Sequence, residues 1–211
     1  MPTLLRMRWH GNFRARYWPD EMTDQRTPNN RTKTQKPVTA QYLENAALYY
    51  LQRFASSSAN LRRVLMGKVE RSARAHGTDR EEGAALVEAL IERYLRSGLL
   101  DDKAYAEAKA ASLHRRGTST RGIRGKLALK GLETDHIDAA LETVDEETPG
   151  DTELAAAVAF ARRRRLGPFR TAKRADHRDK DLAALGRVGF SYQMAKRVVD
   201  AEDPDNIEED S

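Results

Sequence analysis

Residues 113–127, Leu113-His114-Arg115-Arg116-Gly117-Thr118-Ser119-Thr120-Arg121-Gly122-Ile123-Arg124-Gly125-Lys126-Leu127, repeat the pattern of residues 51–65 at an offset of 62. Leu51, Arg53, Leu61, Arg62 and Leu65 fall on Leu113, Arg115, Ile123, Arg124 and Leu127, and the turn Ala55-Ser56-Ser57-Ser58 falls on Gly117-Thr118-Ser119-Thr120. A looser third copy follows at an offset of 58, where Leu127, Gly131-Leu132 and Leu141 fall on Leu185, Gly189-Phe190 and Val199. Repeats of this length indicate small helical modules stacked in a row. Such arrays offer long binding surfaces more readily than enclosed catalytic clefts.

The composition agrees. Of 211 residues, 39% are apolar and 33% charged, a thin core under a heavily ionic surface. Several three-helix units, each burying one stripe per helix, fit these proportions better than one large core. The absence of cysteine excludes disulfides and thiolate metal sites. Met1 to Arg8 is too short and too basic for a signal-peptide apolar region, and no stretch approaches the roughly 20 apolar residues of a membrane span. The expected setting is the cytoplasm, without processing.

Charge is unevenly placed along the chain. The net charge is +5, yet residues 1–37 hold eight Lys or Arg against three acids, and residues 202–210 hold six acids and no base. The body between them is about +6 and suits a polyanionic partner, nucleic acid included.

The periodicity predicts an all-α chain. Residues 1–37 form a basic N-terminal tail that reads as flexible around Thr27-Pro28-Asn29-Asn30-Arg31-Thr32. The alternative for this tail is an arm, with Trp9, Phe13, Tyr17 and Trp18, that folds on a partner. Residues 38–98 make the first repeat, with helices capped by Thr39, by Ser57 or Ser58, and after Thr78-Asp79, and an inward face that includes Leu86, Leu90, Tyr94 and Leu95. Residues 99–149 make the second, with Asp101 as its opening cap and helices to about Arg116, over Thr120–Lys130 and over Thr134–Val144. Residues 150–201 make the third, with a longer turn at Leu166-Gly167-Pro168-Phe169 and helices near Asp179–Arg187 and Ser191–Ala201. An acidic C-terminal tail, 202–211, closes the chain.

Catalysis and metal binding find no motif. His10, His76, His114, His136 and His177 never recur at the spacing a helical metal site needs. The glycine-rich segment 117–124 lacks the Lys-Ser/Thr ending of a phosphate loop and joins two helices rather than a strand and a helix. The helix N-terminus after it has free amides that could receive a backbone phosphate. No cofactor is expected.

Basic clustering is the strong signal. Arg115, Arg116, Arg121, Arg124, Lys126 and Lys130 lie in residues 113–131, which contain no acid. Arg62 and Arg63 mark the equivalent region of the first repeat, and Arg162, Arg163, Arg164 and Arg165 that of the third. A charge run is usually a solvated helix face. Three runs at matching module positions instead predict a basic strip facing phosphates or an acidic protein groove, with Arg115, Arg116, Arg121 and Arg124 as central contacts.

Three segments resemble signatures of the RecX regulatory-protein family over about residues 40–200. Gly98-Leu99-Leu100-Asp101-Asp102-Lys103-Ala104-Tyr105-Ala106 is similar to its "GYLDD…FA" element, Arg121 to Leu132 to its "R…I…L…KG" helix, and Gly189-Phe190-Ser191-Tyr192 to its "GFS" element. The resemblance implies three tandem three-helix repeats in an elongated array, a bacterial cytoplasmic setting and no enzymatic activity. It implies a monomer whose partner is the RecA recombinase filament on single-stranded DNA. Members lodge in the filament groove, limit its extension and lower ATP hydrolysis and strand exchange, in homologous recombination, DNA repair and the SOS response. Some also bind single- or double-stranded DNA directly. The chain departs from the family pattern at Ala55-Ser56-Ser57-Ser58-Ala59-Asn60 and at Arg187-Val188, and the basic cluster of the second repeat transfers best. A helical-repeat DNA binder acting through phosphate contacts is the competing reading. An enzyme would need a convergent polar pocket that no local spacing indicates.

Overall fold

The computed structural model describes residues 37–204 and 207, and among these the regular structure is entirely helical. Expectations for the N-terminal arm, including its four aromatics, lie outside the described residues. Helices α1 (Ala40–Leu51), α2 (Ser58–His76) and α3 (Arg80–Arg96) form the first repeat, and α4 (Asp102–Arg115), α5 (Thr120–Ala128) and α6 (Thr134–Glu147) the second. The third holds α7 (Thr152–Arg164), a 3₁₀ turn (Gly167–Phe169), α8 (Arg174–Arg187) and α9 (Tyr192–Asp200). Capping follows the chemistry of the termini: Thr39, Ser57, Asp79, Asp101, Ser119, Asp151 and Ser191 each accept from an amide in the first turn of the helix they precede.

Each repeat has its own core. Leu43, Leu61, Leu65, Val69, Val87 and Ile91 fill the first, and Ile123, Leu127, Ile137, Ala140 and Val144 the second. The small face Ala106-Ala110 lets α4 lie close on α6. Leu154, Phe160, Leu185, Phe190, Val198 and Val199 fill the third, joined by Ile207 from the acidic C-terminal segment. Leu95, expected inward, is 42% exposed, because the inward stripe of α3 is completed by Ile91 and Tyr94.

The repeats meet through one polar joint, used twice. At the first, Ser57 caps α2 through Asn60 N–H and donates its own hydroxyl to the carbonyl of Lys130 at 2.6 Å. Next to it, the amide and hydroxyl of Ser58 donate to the two oxygens of Asp102, at 2.7 and 2.5 Å. At the second joint Ser119 caps α5 through Gly122 N–H and donates to Val188 O at 2.7 Å. The amide and hydroxyl of Thr120 both reach Glu153, at 3.0 and 2.7 Å. The accepting carbonyls precede Gly131 (φ +74) and Gly189 (φ +103), whose bare Cα atoms admit the incoming turn. A Cβ on Gly189 would stand 2.4 Å from Ser119 Oγ.

The third repeat ends the series differently. Asp181, 1% exposed, occupies the register of Ile123 and Leu61. It accepts from Gly167 N–H at 2.9 Å and from Arg170 Nε and Nη2 at 2.7 and 2.6 Å, pinning the loop before α8. Helix α8 begins at Arg174, five residues earlier than the expected Asp179, with Lys173 at φ 54 and no side-chain cap. Burial alone would push the Asp181 carboxyl up, but Arg170 and the Gly167 amide outweigh it and hold it below the ordinary carboxylate value.

A carboxyl lowered on folding stabilises the fold above its unfolded value, near pH 4. That contribution disappears as pH falls through the lower folded value. Replacing Asp181 by Ala leaves the Gly167 amide and Arg170 unpaired and costs about 2 kcal/mol at neutral pH. Urea denaturation checks this, and the variant is expected to lose less stability than wild type on acidification below about pH 4. Gly189→Ala is expected to lower the urea midpoint as well, through its backbone conformation and the clash with Ser119.

Candidate partner-binding surface

The turn that makes the first joint separates two clefts of opposite character. One, of roughly 520 Å³, is lined by Arg62, Lys103 and His136 together with Asp101, Asp102 and Glu133. The other, of roughly 380 Å³, is lined by Arg53, Phe54, Ala55, Tyr105, Ala108, Lys109 and Ser112 and contains no acid. Among the described residues neither Arg53 nor Lys109 has an ion-pair partner. The first cleft largely neutralises itself, whereas the second projects a net positive field over an apolar floor.

Repeat equivalence places cations at the second joint as well. Arg115 and Arg116 fall on Arg53 and Phe54; with Glu153 as the counterpart of Asp102, each anchoring the turn of the preceding repeat, Phe160 and Arg163 stand where Lys109 and Ser112 stand. The structure gives this register a direct check. Gly117 packs so tightly on α7 that a Cβ there would meet Phe160 N at 2.3 Å and Ala156 O at 2.7 Å. The end of α4 is therefore beside the turn of α7 that carries Arg163, whose guanidinium lies over the Phe160 ring at 5.8 Å.

The twelve cations singled out in the sequence divide into groups. Arg62 is held by Glu88 through two bonds of 2.7 and 2.8 Å, and Arg124 by Asp138. These two are equivalent positions tying a middle helix to the third helix of its repeat. The Glu88 bonds are the leading cause that raises the Arg62 pKa above its ordinary value. Arg63 donates to Leu129 O at 3.2 Å across the first joint, and Lys126 lies 3.4 Å from Thr118 Oγ1. Arg121 rises beside Gly189 at the second joint, and the carbonyl of Lys130 is taken by Ser57. Arg162 covers the Phe169 ring at 5.5 Å, and Arg165 ends α7 in the left-handed conformation. Arg115, Arg116 and Arg164 are exposed and, among the described residues, without an ion-pair partner.

The twelve cations are therefore not equivalent: Arg62 and Arg124 are engaged within their own repeats, whereas Arg115, Arg116 and Arg164 are exposed. The helix N-terminus expected to receive a phosphate is occupied from within. Ser119 takes the Gly122 amide and Glu153 the Thr120 amide, and Ser119 is fully buried. Arg53 and Lys109 were missed as site residues. Arg53 could have been found from its register with Arg115; Lys109, on a helix with Glu107 nearby, carries no local sign.

Fold and surface together define a helical-repeat protein with a basic, acid-free cleft at its first joint. Residues 101–141 match the model of the RecX second three-helix domain. Over 171 residues the chain is 47% identical to the regulatory protein RecX of Myxococcus xanthus, covering 80% of this chain and 90% of that one. It is 34% identical to the regulatory protein RecX of Agrobacterium fabrum, over 75% of this chain and 82% of that one. The crystal structure of RecX from Lactobacillus salivarius superposes with a TM-score of 0.52 at 20% identity, over 76% of this chain and 94% of that one, a likeness of fold. The chain belongs to the RecX family of regulatory proteins.

Arg124→Asp should lower stability by no more than about 1 kcal/mol, as befits a half-exposed pair. Adding Asp138→Arg should recover most of that loss in urea denaturation. A double variant no more stable than Arg124→Asp alone would show that this pair does not hold α5 to α6.

Proposed function

We propose that this protein is a non-catalytic regulator that binds the RecA recombinase filament on single-stranded DNA and inhibits its ATP hydrolysis, strand exchange and extension. This places it in homologous recombination, DNA repair and the SOS response of a bacterial cytoplasm, acting as a monomer without a cofactor. The observation that carries the reading is the acid-free cleft at the first joint, lined by Arg53 and Lys109, with the exposed Arg115 and Arg116 in the equivalent turn of the next repeat. Membership of a family of regulatory proteins supports it.

Mechanistically, consecutive joints engage consecutive subunits along the filament groove. Inhibition requires tighter binding to one filament state than to another, since equal affinity for all states shifts nothing. Arg115 and Arg116 are the central contacts, with Arg121, Lys130, Arg63 and the Arg162–Arg165 run flanking them. Arg62 and Arg124 act chiefly by holding the helices that carry the others. A second reading, binding of DNA alone through its phosphates, is favoured by the lack of acid in residues 113–131. That affinity would fall steeply with salt and need no recombinase.

Arg115→Glu with Arg116→Glu is expected to weaken inhibition of single-strand-dependent ATP hydrolysis at least tenfold, while circular dichroism stays that of wild type. Full inhibition by the folded double variant would remove these residues from the contact. Inhibition that survives at a salt concentration abolishing bare-DNA binding supports the filament; loss of both together supports the second reading.

A further inference from the structure

We infer that the outer face of α8 and α9 docks a second protein, through the first turn of a partner helix that carries a carboxylate and sits where a fourth repeat would stand. The inference goes beyond the proposed function, because it concerns the end of the array rather than its basic cleft.

Register identifies the face. Ser58, Ala59 and Arg62 of α2 line the joint with the second repeat, and Thr120 of α5 is anchored at the joint with the third. At the offsets of 62 and 58, Ser58 falls on Thr120 and Arg178, Ala59 on Arg121 and Asp179, and Arg62 on Arg124 and Leu182. Arg178, Asp179 and Leu182 line an open cleft of roughly 430 Å³, with Gly186, Tyr192 and Ala195 opposite them or beyond. The third repeat thus carries the outgoing half of a joint, and among the described residues no further helix follows α9 to fill it.

The chemistry of this half-joint departs from the pattern. The first two repeats close the position with an ion pair, Arg62 to Glu88 and Arg124 to Asp138. The third has Leu182 for the arginine, and Lys196 falls on Asp138, so the pair is lost. Tyr192, in the place of Thr134, is 66% exposed. The last module of an array normally ends on a polar face, which keeps it soluble. Exposed apolar surface with a polar rim, as here, is the mark of an interaction site.

The two internal joints show what such a half-joint accepts. Each is filled by the start of the next repeat's first helix, whose first-turn carboxylate, Asp102 or Glu153, takes the donors of Ser58 or Thr120. Arg178 stands at that donor position, and Asp200 of the same repeat holds its Nε and Nη2, each at 2.7 Å. The Asp200 carboxyl is kept below its ordinary value first by these bonds, then by the charges of Arg178, Lys196 and Arg174. Among the described residues neither Lys196 nor Arg174 has an ion-pair partner. An incoming carboxylate therefore meets surplus positive charge, while Leu182 and Tyr192 take the apolar side of the helix that brings it.

The test uses the full-length protein and a fluorescent, stapled helical peptide with the sequence of residues 99–116, the segment that fills the first joint. Wild type is expected to bind it saturably, with NMR shift changes centred on Leu182 and Tyr192. Leu182→Arg with Ala183→Arg restores the side chains of the first repeat and should weaken binding about tenfold. Tyr192→Ala, which lies outside the core, should weaken it in the same direction, as should Asp102→Asn in the peptide. No saturable binding by wild type, or unchanged binding by the folded variants, overturns the inference. So does self-association of wild type that Leu182→Arg with Ala183→Arg abolishes, which gives the face to a second copy. Displacement of the peptide by oligothymidylate, with the same residues shifted, gives it to nucleic acid and overturns the inference as well. Peptide binding by a wild-type protein that fails to inhibit the recombinase leaves the docking face standing and removes the proposed function. Full inhibition together with no peptide binding does the reverse.

Discussion

One serine hydroxyl at each joint performs two tasks at once, and the architecture depends on it. As acceptor it closes the first turn of a middle helix; as donor it satisfies a carbonyl at the end of the next repeat's middle helix. Both groups would otherwise be partly buried polar atoms without protein partners, each costing up to about 1 kcal/mol if left unmet. Alanine could do neither, and a longer side chain would keep the turn from the glycine opposite. The carboxylates of Asp102 and Glu153 add a second anchor to the following residue's amide and hydroxyl. Three small cores, none large, become one body because polar turns fit between helix ends.

The same logic explains why the third repeat differs. A middle helix that faces no further repeat needs no docking serine, and α8 starts without any side-chain cap. Its loop must be held by something else, and Asp181 does this by replacing an apolar residue of the repeat with a carboxylate that grips Arg170 and the Gly167 amide. Ile207 then adds apolar cover to that core. Arg174 closes the far end, donating to the carbonyl of Val199 in the last turn of α9 and to that of Ala201 just after it.

Much of the fold was legible because its signals are local. Thr39, Asp79 and Asp101 each sit before an apolar periodicity, and a side-chain oxygen three residues from an amide is chemistry the sequence shows. The start of α8 was not legible, since Arg174-Ala175-Asp176-His177-Arg178 offers neither an apolar stripe nor a capping side chain. The joints were half visible. The offset placed Ser57 on Ser119 and Gly131 on Gly189, yet nothing in it said that the turns of one copy dock on the glycines of the next. Asp102 reads as an ordinary first-turn acid, and its partner Ser58 is 44 residues away. The basic clusters were visible as composition, but which cations are free was not. Arg124 and Arg116 look alike in sequence, and only the packing of α6 on α5 gives Arg124 the carboxylate of Asp138.

That sorting has a structural cause. Arg62 and Arg124 project towards the third helix of their own repeats, where acids meet them, whereas Arg53 and Arg115 precede the joint turn and face the following repeat's first helix. At the first joint that helix presents Ala108, Lys109 and Ser112 to Arg53, and no carboxylate lines the cleft they share. The turn at residues 53–58 therefore carries cation and aromatic at one end and the docking serines at the other, within a single loop. Site and joint cannot vary independently: any shift of the serine anchor moves Arg53 and Phe54 against Lys109. The polar bonds that fix the spacing of the repeats thereby fix the spacing of the positive clefts, which is the quantity a regularly repeating partner would read.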